Sequence, residues 1–187
     1  MTIESIREFL RSYKRKEIYN DALSPAGVLM PLVRQNDSLA FLLTKRTDRV
    51  EHHKGQISFP GGAMDSNDES IIATALRETE EEIGLPRTAV EVLGTFDDFW
   101  TPTGFRITPV AGYVSSLPQL TISAGEVETI LTVPVDFFLN PTNERIVQME
   151  RDGTKHDVYF YRYGEHEVWG ATAAIIRAFL RALRLEH

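Results

Sequence analysis

The chain has 187 residues, of which 42% are hydrophobic and 25% are charged, a length that suits one domain with a buried core and is short for two. Its 27 acidic and 20 basic residues give a formal net charge of −7, which argues against the basic surface that sequence-independent nucleic-acid binding needs. The absence of cysteine excludes disulfides, thiolate nucleophiles and cysteine zinc sites, and is typical of proteins in the reducing cytoplasm.

The hydrophobic pattern argues against a membrane or secreted protein. Apolar runs such as residues 39–43 are far shorter than a membrane span, and residues 1–16 lack the continuous apolar core of a signal peptide. We therefore expect a cytoplasmic protein without a membrane partner. Residues 185–187 resemble the remnant of an expression tag, so the predicted domain covers residues 1–184.

Alternating and helical hydrophobic patterns predict strands mixed with about three helices. Strands are predicted in chain order at residues 26–33, 39–46, 56–59 (stopped by "PGG"), 90–100, 105–114, 127–133, 145–150, 156–163 and 167–170. Helices are predicted at residues 3–13, from an N-cap at Asp68 to a stop at Gly84, and at roughly 170–183. Because strands and helices do not alternate regularly, the pattern favours a mixed-sheet sandwich over a doubly wound parallel sheet. The first helix is predicted to cover the sheet or to belong to a homodimer interface.

The second predicted helix carries the strongest chemical signal, "RETEEEIGL" at residues 77–85. At helical spacing, Glu78, Glu81 and Glu82 converge within an arc of about 100° that borders the apolar stripe, whereas Glu80 points away. Three carboxylates at this spacing suit a hard divalent cation, and Arg77 could hold one of them by a bidentate bond. The alternative interpretation is a solvated, glutamate-rich surface.

A glycine pair lies between the third predicted strand and this helix. Gly61 and Gly62, in "GQISFPGGAMD", permit backbone conformations closed to other residues and a close approach of a ligand. The backbone carbonyl of Gly62 is a candidate further metal ligand.

These residues resemble the Nudix box, G-x5-E-x7-R-E-U-x-E-E-x-G-U with U aliphatic. Residues 77–85 match its second half, with Thr79 in place of an aliphatic residue. Counting back from Arg77 places the first glutamate of the pattern at Glu69, but Ala63 then occupies the glycine position and Gly62 lies one residue too early. This one-residue insertion is similar to the spacing in the coenzyme A pyrophosphatase branch of the Nudix family.

A second resemblance to that branch lies upstream, in "LLTKRTDRVEHHKGQISFPGG" at residues 42–62. It is similar to the signature L-L-T-x-R-[S/A]-x3-R-x3-G-x3-F-P-G-G, with Thr47 at the Ser or Ala position and Glu51 at the second arginine. The charge reversal at Glu51 keeps ADP-ribose, NADH or a nucleoside triphosphate open as substrates. The resemblance implies that substrate-binding residues lie in this segment, with these candidates: Lys45, Arg46, Arg49, Lys54 and Phe59.

The resemblance implies an α/β/α sandwich with a mixed sheet between helices, and a metal-dependent pyrophosphohydrolase. Coenzyme A would yield 3′-phosphoadenosine 5′-phosphate and phosphopantetheine, with Mg²⁺ or Mn²⁺ held by Glu78, Glu81 and Glu82. Arg77 is also a candidate catalytic residue. Glu126 is the candidate general base, with Glu81 as the alternative. Trp100 could contact the substrate, although buried packing is the expected role. A catalytically silent nucleotide sensor with this fold is the alternative of a different class.

Overall fold

A mixed sheet of eight strands forms the centre of the computed structural model, which describes residues 1–36, 38–48, 55–151 and 153–185. Its main path runs β3-β2-β1-β7-β5, while β4 pairs with β1, β6 with β7 and β8 with β2. β1 and β7 are parallel and the other pairs are antiparallel. The strands are β1 (Ser24–Gln35), β2 (Ser38–Arg46), β3 (Ile57–Ser58), β4 (Gly61–Ala63), β5 (Glu91–Thr95), β6 (Phe99–Trp100), β7 (Phe105–Val114) and β8 (Val127–Pro134).

A second, antiparallel sheet has the order β11-β10-β9. It is built from β9 (Glu144–Arg151), β10 (Thr154–Tyr163) and β11 (His166–Trp169). Its inward face contributes Tyr161 and Val168 to the larger of the two hydrophobic cores.

The helices are α1 (Ile3–Ser12), α2 (Ile71–Ile83), α3 (Val135–Leu139) and α4 (Gly170–Leu185), with 3₁₀ turns at Arg87–Ala89 and Pro141–Asn143. Successive strand residues point to opposite faces of a sheet. Accordingly Phe41 and Leu43 of β2 join the core formed with α1, α3 and α4, whereas Leu42 joins the core formed with α2. This arrangement confirms the predicted α/β/α sandwich with a mixed sheet.

Helix α1 covers the sheet, which was one of its two predicted roles. Its residues Ile6 and Phe9 are buried in the larger core, and Arg7 binds Glu91 of β5 through two hydrogen bonds of 2.9 and 3.0 Å. No helix in the described part of the chain is long and apolar enough to cross a membrane.

Two predicted boundaries are wrong. The glycine pair does not end the strand region, because Gly61–Ala63 forms β4 against Ala26–Val28 of β1. The predicted strand at residues 90–100 is interrupted, because Asp97 and Asp98 turn toward the segment after α1. Asp97 accepts a hydrogen bond from the Lys16 N–H at 2.8 Å, and Asp98 accepts one from the Ile18 N–H at 3.0 Å.

Candidate active site

Local capping fixes the ends of the acidic helix α2. The Ser70 hydroxyl accepts a hydrogen bond from the Ala73 N–H at 3.2 Å, and Gly84 closes the helix in the left-handed conformation with φ 67°. The predicted N-cap, Asp68, is wrong because its carboxylate binds Arg77 instead. The helix therefore begins at Ile71, later than the sequence pattern suggested.

Arg77 ties the beginning of α2 to its acidic face. It binds Asp68 through two parallel bonds, Nε to Oδ1 at 2.9 Å and Nη2 to Oδ2 at 2.8 Å. Its Nη1 donates to Glu78 at 2.7 Å and to Glu81 at 3.2 Å. The predicted bidentate bond thus goes to Asp68 rather than to a carboxylate of the acidic arc. The Arg77 guanidinium also holds the pKa of Asp68 well below its ordinary value.

Asp68 is the site residue that the comparison with the Nudix pattern missed. Counting back from Arg77 selects Glu69, which is exposed in the structure. Counting forward from Gly62 by the same pattern selects Asp68, so the signal was present in the sequence. The pattern places seven residues between its acidic residue and its arginine, whereas eight lie between Asp68 and Arg77, so the inserted residue falls in this interval. Aspartate, whose side chain is one bond shorter than that of glutamate, makes the contact with Arg77.

Glu82 is the buried carboxylate of the site, with 3% of its surface exposed. Its Oε1 lies 3.4 Å from Arg46 Nη1 at the end of β2, and its Oε2 accepts a hydrogen bond from the Gly61 N–H at 3.3 Å. Burial raises the pKa of Glu82 to about 7, and the negative charges of Glu126 and Glu78 act in the same direction. Residues far apart in sequence therefore converge on one carboxylate.

The Gly61–Gly62 backbone approaches this face of α2 as closely as glycine allows. A Cβ added to Gly62 would lie 2.5 Å from Cδ of Glu78. Gly61 has φ 149°, and a Cβ there would overlap the carbonyl of Gly27 on β1. The backbone leaves no room for a side chain at Gly61, whereas a Cβ at Gly62 would require the Glu78 carboxylate to move.

A loop from Thr121 to Val127 brings Glu126 to the same region. The Thr121 N–H donates to the Ile83 carbonyl at 3.0 Å, and the Ser123 N–H donates to the Glu82 carbonyl at 2.9 Å, both at the end of α2. Glu126 is exposed and makes no ion pair with any residue that the structure describes. Its role as general base stays a prediction.

The remaining acidic residues of α2 divide as the helical spacing predicted. Glu81 is largely exposed, and one oxygen of its carboxylate lies 3.2 Å from Nη1 of Arg77. Glu80 points to the other side, where it binds Arg87 at 3.0 Å. Thr79 occupies an aliphatic position of the Nudix pattern and is buried. Its hydroxyl is satisfied there, because it donates to the Ala75 carbonyl at 2.6 Å.

The substrate-binding candidates lie in different environments. Arg46 faces Glu82, whereas Lys45 binds Glu128 at 2.7 Å. Phe59 is 3% exposed and packs edge-to-face against Phe41 in the core, which favours a packing role over a substrate contact. Arg49, Lys54 and Glu51 lie outside the described residues.

Trp100 differs from its expected role. Buried packing was expected, but the side chain is 53% exposed and its ring lies 6.5 Å from that of His156 in a T-shaped arrangement. The short strand β6 pairs Trp100 with Arg106 of β7, and this pairing leaves about half of the indole exposed.

The donor set fits a divalent cation in chemistry. Glu78 and Glu82 supply carboxylate oxygens on one side of α2, and the missing Cβ of Gly62 lets the Glu78 carboxylate lie directly against the backbone of the glycine pair. Over residues 1–36, 38–48, 55–151 and 153–185, however, no three acidic or histidine side chains already stand close enough together to hold a metal ion. Arginines bind these carboxylates in the structure: Arg77 binds Glu78 and Glu81, and Arg46 binds Glu82. A cation would therefore take the place of guanidinium contacts at these carboxylates.

Comparisons with known proteins identify the family. The family described as NUDIX domain matches residues 23–151. The uncharacterized Nudix hydrolase NudL of Photorhabdus laumondii is 38% identical over 160 residues, which are 86% of this chain and 85% of the relative. NudL of Enterobacter sp. (strain 638) is 37% identical over 177 residues, which are 92% of each chain.

Solved structures show the same fold at lower identity. The MutT protein from Methanosarcina mazei Go1 aligns with a TM-score of 0.56 at 16% identity, covering 94% of this chain and 98% of that chain. A NUDIX hydrolase from Alicyclobacillus acidocaldarius aligns with a TM-score of 0.55 at 18% identity, covering 85% and 91%.

Proposed function

The chain belongs to the Nudix hydrolase family, whose members cleave pyrophosphate bonds in small nucleotide derivatives, and from this premise we propose that it hydrolyses the diphosphate of coenzyme A or acyl-coenzyme A. The products would be 3′-phosphoadenosine 5′-phosphate and phosphopantetheine or its acyl derivative. The observation that carries the proposal is the contact between Arg46, from the coenzyme A-type signature, and Glu82 of the Nudix box.

The signature residues that the structure describes lie beside the acidic helix rather than scattered over the surface. They form the end of β2, then β3, which pairs Ile57 with Lys45, and then β4 beside α2. Arg46 stays partly accessible, with 26% of its side chain exposed, while its buried Nε has no hydrogen-bond partner among the described residues. A partly exposed guanidinium beside a carboxylate cluster is suited to a phosphate group.

Nudix hydrolases generally use divalent metal ions, and Mg²⁺ or Mn²⁺ is the cation proposed for this site. Glu78, Glu81 and Glu82 would hold it together with the carbonyl of Gly62. When bound, the cation supplies positive charge that offsets the charge of the diphosphate oxygens. Glu82 gives up the proton that its burial favours in order to serve as a ligand.

Side chains of this protein would accept the proton of the attacking water and donate to the phosphate oxygens. A water molecule attacks one phosphorus atom, and its proton passes to the carboxylate of Glu126, or to that of Glu81 if Glu81 is the base. The bond from that phosphorus to the bridging oxygen breaks, and the bridging oxygen leaves with the other phosphate. Arg46 donates to phosphate oxygens and stabilises the charge that develops on them.

The test is product identification with a panel of substrates: coenzyme A, acetyl-coenzyme A, ADP-ribose, NADH and ATP. Each is incubated with Mg²⁺, with Mn²⁺ and with chelator, and Glu82→Gln serves as the inactive control. We expect metal-dependent release of 3′-phosphoadenosine 5′-phosphate from coenzyme A. Cleavage of ADP-ribose or NADH without cleavage of coenzyme A would overturn the substrate assignment and leave the metal site standing. Tight nucleotide binding without turnover would favour a sensor.

A further inference from the structure

The loop that carries Glu126 is fastened at both ends. At one end Thr121 and Ser123 bind the last carbonyls of α2. At the other end Thr47, the residue after Arg46, makes two hydrogen bonds to the loop. Its N–H donates to the Glu126 carbonyl at 2.9 Å, and its hydroxyl donates to the Gly125 carbonyl at 3.0 Å. The loop therefore links the acidic helix α2 to the end of β2, which carries Arg46, the proposed phosphate-binding residue.

The hydrogen bond of the Thr47 hydroxyl is buried rather than exposed on the surface. Thr47 is 8% exposed, so a buried hydroxyl without this acceptor would lose its hydrogen bond without regaining water. The strand end that carries Thr47 is itself fixed, because the Arg46 N–H donates to the Gln56 carbonyl at 3.0 Å. The hydroxyl thus acts from a rigid position.

The Gly125–Glu126 peptide is held at both of its polar atoms. The Thr47 hydroxyl binds its carbonyl oxygen, and the Glu126 N–H donates to the Ser123 carbonyl at 2.9 Å. No atom lies within 4 Å of the position that a Cβ on Gly125 would occupy, so packing of a side chain adds no restraint at this glycine and the two hydrogen bonds set the orientation of the peptide. Because Glu126 follows directly, the orientation of its side chain depends on the same peptide.

We propose that Thr47 is a positioning residue that aims the carboxylate of Glu126 at the diphosphate and keeps it in register with Arg46. This inference rests on the proposed role of Glu126 as general base. The charge of Glu126 already reaches Glu82, which places the loop close to the metal-binding carboxylates. Both the N–H and the hydroxyl of Thr47 bind carbonyls of the loop, so Thr47 acts through the loop.

Two substitutions separate the hydroxyl from the shape of the side chain. Thr47→Val keeps the branched shape and removes the hydroxyl, whereas Thr47→Ser keeps the hydroxyl. We expect Thr47→Val to lower kcat for coenzyme A about 10- to 100-fold while KM stays unchanged, since misplacing a reacting group costs rate rather than affinity. Thr47→Ser should restore most of the rate. Thr172→Val in α4, where Thr172 is 6% exposed, is the matched control and should leave kcat unchanged.

A double-mutant cycle with Glu126→Gln decides whether Thr47 acts through Glu126. If it does, Thr47→Val lowers kcat in the wild-type background and has little further effect when Glu126 is already glutamine. Equal losses in both backgrounds would overturn the inference, as would full activity of Glu126→Gln. Loss of metal dependence or of all turnover in the wild-type protein would instead contradict the proposed function.

Amide hydrogen exchange tests the contact without any activity. The N–H groups of Glu126 and Val127 donate to the Ser123 carbonyl, so they report on the turn that Thr47 restrains. In metal-free protein we expect both to exchange about tenfold faster in Thr47→Val than in wild type or Thr47→Ser. Unchanged exchange in Thr47→Val would overturn the positioning role.

Discussion

The guanidinium of Arg46 lies 3.4 Å from the buried carboxylate of Glu82, and this contact joins the end of β2 to the last turn of α2. The two residues serve one site because the sheet brings them together: β2 lies beside β1, on which α2 packs. A buried carboxylate needs a positive partner, and Arg46 supplies it. In the proposed mechanism a cation would take over this role and leave the guanidinium to a phosphate group.

Arg46 and its neighbour Lys45 should differ sharply in their effect on activity. We expect Arg46→Ala to lower kcat/KM for coenzyme A about 10- to 100-fold, the value of a hydrogen bond to a charged group. Lys45→Ala is the matched control. Lys45 already forms an accessible pair with Glu128, and such pairs contribute little, so the change should be less than about fivefold. Steady-state kinetics with both variants gives the comparison, and equal losses would contradict the assignment of Arg46.

Substitution of Asp68 should lower kcat/KM, whereas substitution of Glu69 should not. Asp68→Asn removes the charge that anchors Arg77, and Arg77 in turn positions Glu78 and Glu81. Groups that orient metal ligands typically contribute about 10- to 100-fold to affinity or activity, and we expect a loss of that size in kcat/KM. Glu69→Gln, the position selected by the family pattern, should behave as wild type. A larger effect at Glu69 than at Asp68 would contradict the structure.

Gly62→Ala should weaken metal binding without unfolding the protein. The new methyl group would stand 2.5 Å from Cδ of Glu78, so the glutamate side chain has to move. Because that side chain is flexible, we expect a melting temperature close to that of wild type and a Kd for Mn²⁺ raised about tenfold or more. Calorimetric titration and thermal melting followed by circular dichroism measure the two quantities. An alanine variant that binds Mn²⁺ as wild type does would show that Glu78 is not a ligand.

Glu82 should make the metal-free protein less stable as the pH rises. Burial raises its pKa to about 7 from an ordinary value of 4.5, so the fold favours the protonated form. The stabilisation is complete below the unfolded pKa and is lost as the pH rises through the folded one, a loss on the order of 3 kcal/mol at about 1.4 kcal/mol per pKa unit.

Glu82→Gln removes this titration. In chelator we expect Glu82→Gln to have a higher free energy of unfolding than wild type at pH 8 and a similar one at pH 5, measured by urea denaturation. Glu80→Gln on the opposite side of α2 is the control and should show no such dependence on pH. A difference between wild type and Glu82→Gln that stays constant from pH 5 to pH 8 would contradict the burial of an ionisable Glu82.

The sequence predicted the fold class and the acidic face of α2 because both depend on local patterns. Period-two and period-3.6 hydrophobicity specify strands and helices, and residues 78, 81 and 82 share a helix face whatever the rest of the chain does. The placement of Glu80 on the other side, against Arg87, follows from the same spacing.

Contacts that depend on the path of a loop could not be predicted in this way. Arg77 binds Asp68 rather than Glu69, because the inserted residue changes which carboxylate reaches the guanidinium. Capping rules alone favoured Asp68 as the N-cap of α2, a position that Ser70 occupies. The burial of Glu82 depends on β2 and β4 closing over it, which a helical wheel does not show. About half of the Trp100 indole stays exposed in the pairing of β6 with β7, a fact about topology rather than about hydrophobicity.

The most direct test of the central claim, that the acidic face of α2 is a divalent-cation site, is a titration with Mn²⁺ followed by electron paramagnetic resonance. It compares wild type, Glu82→Gln and Glu80→Gln, which remove the same charge from opposite sides of one helix. We predict that wild type and Glu80→Gln bind Mn²⁺ alike and that Glu82→Gln loses most of the affinity. Equal binding by all three proteins, or no binding by wild type, would contradict the account.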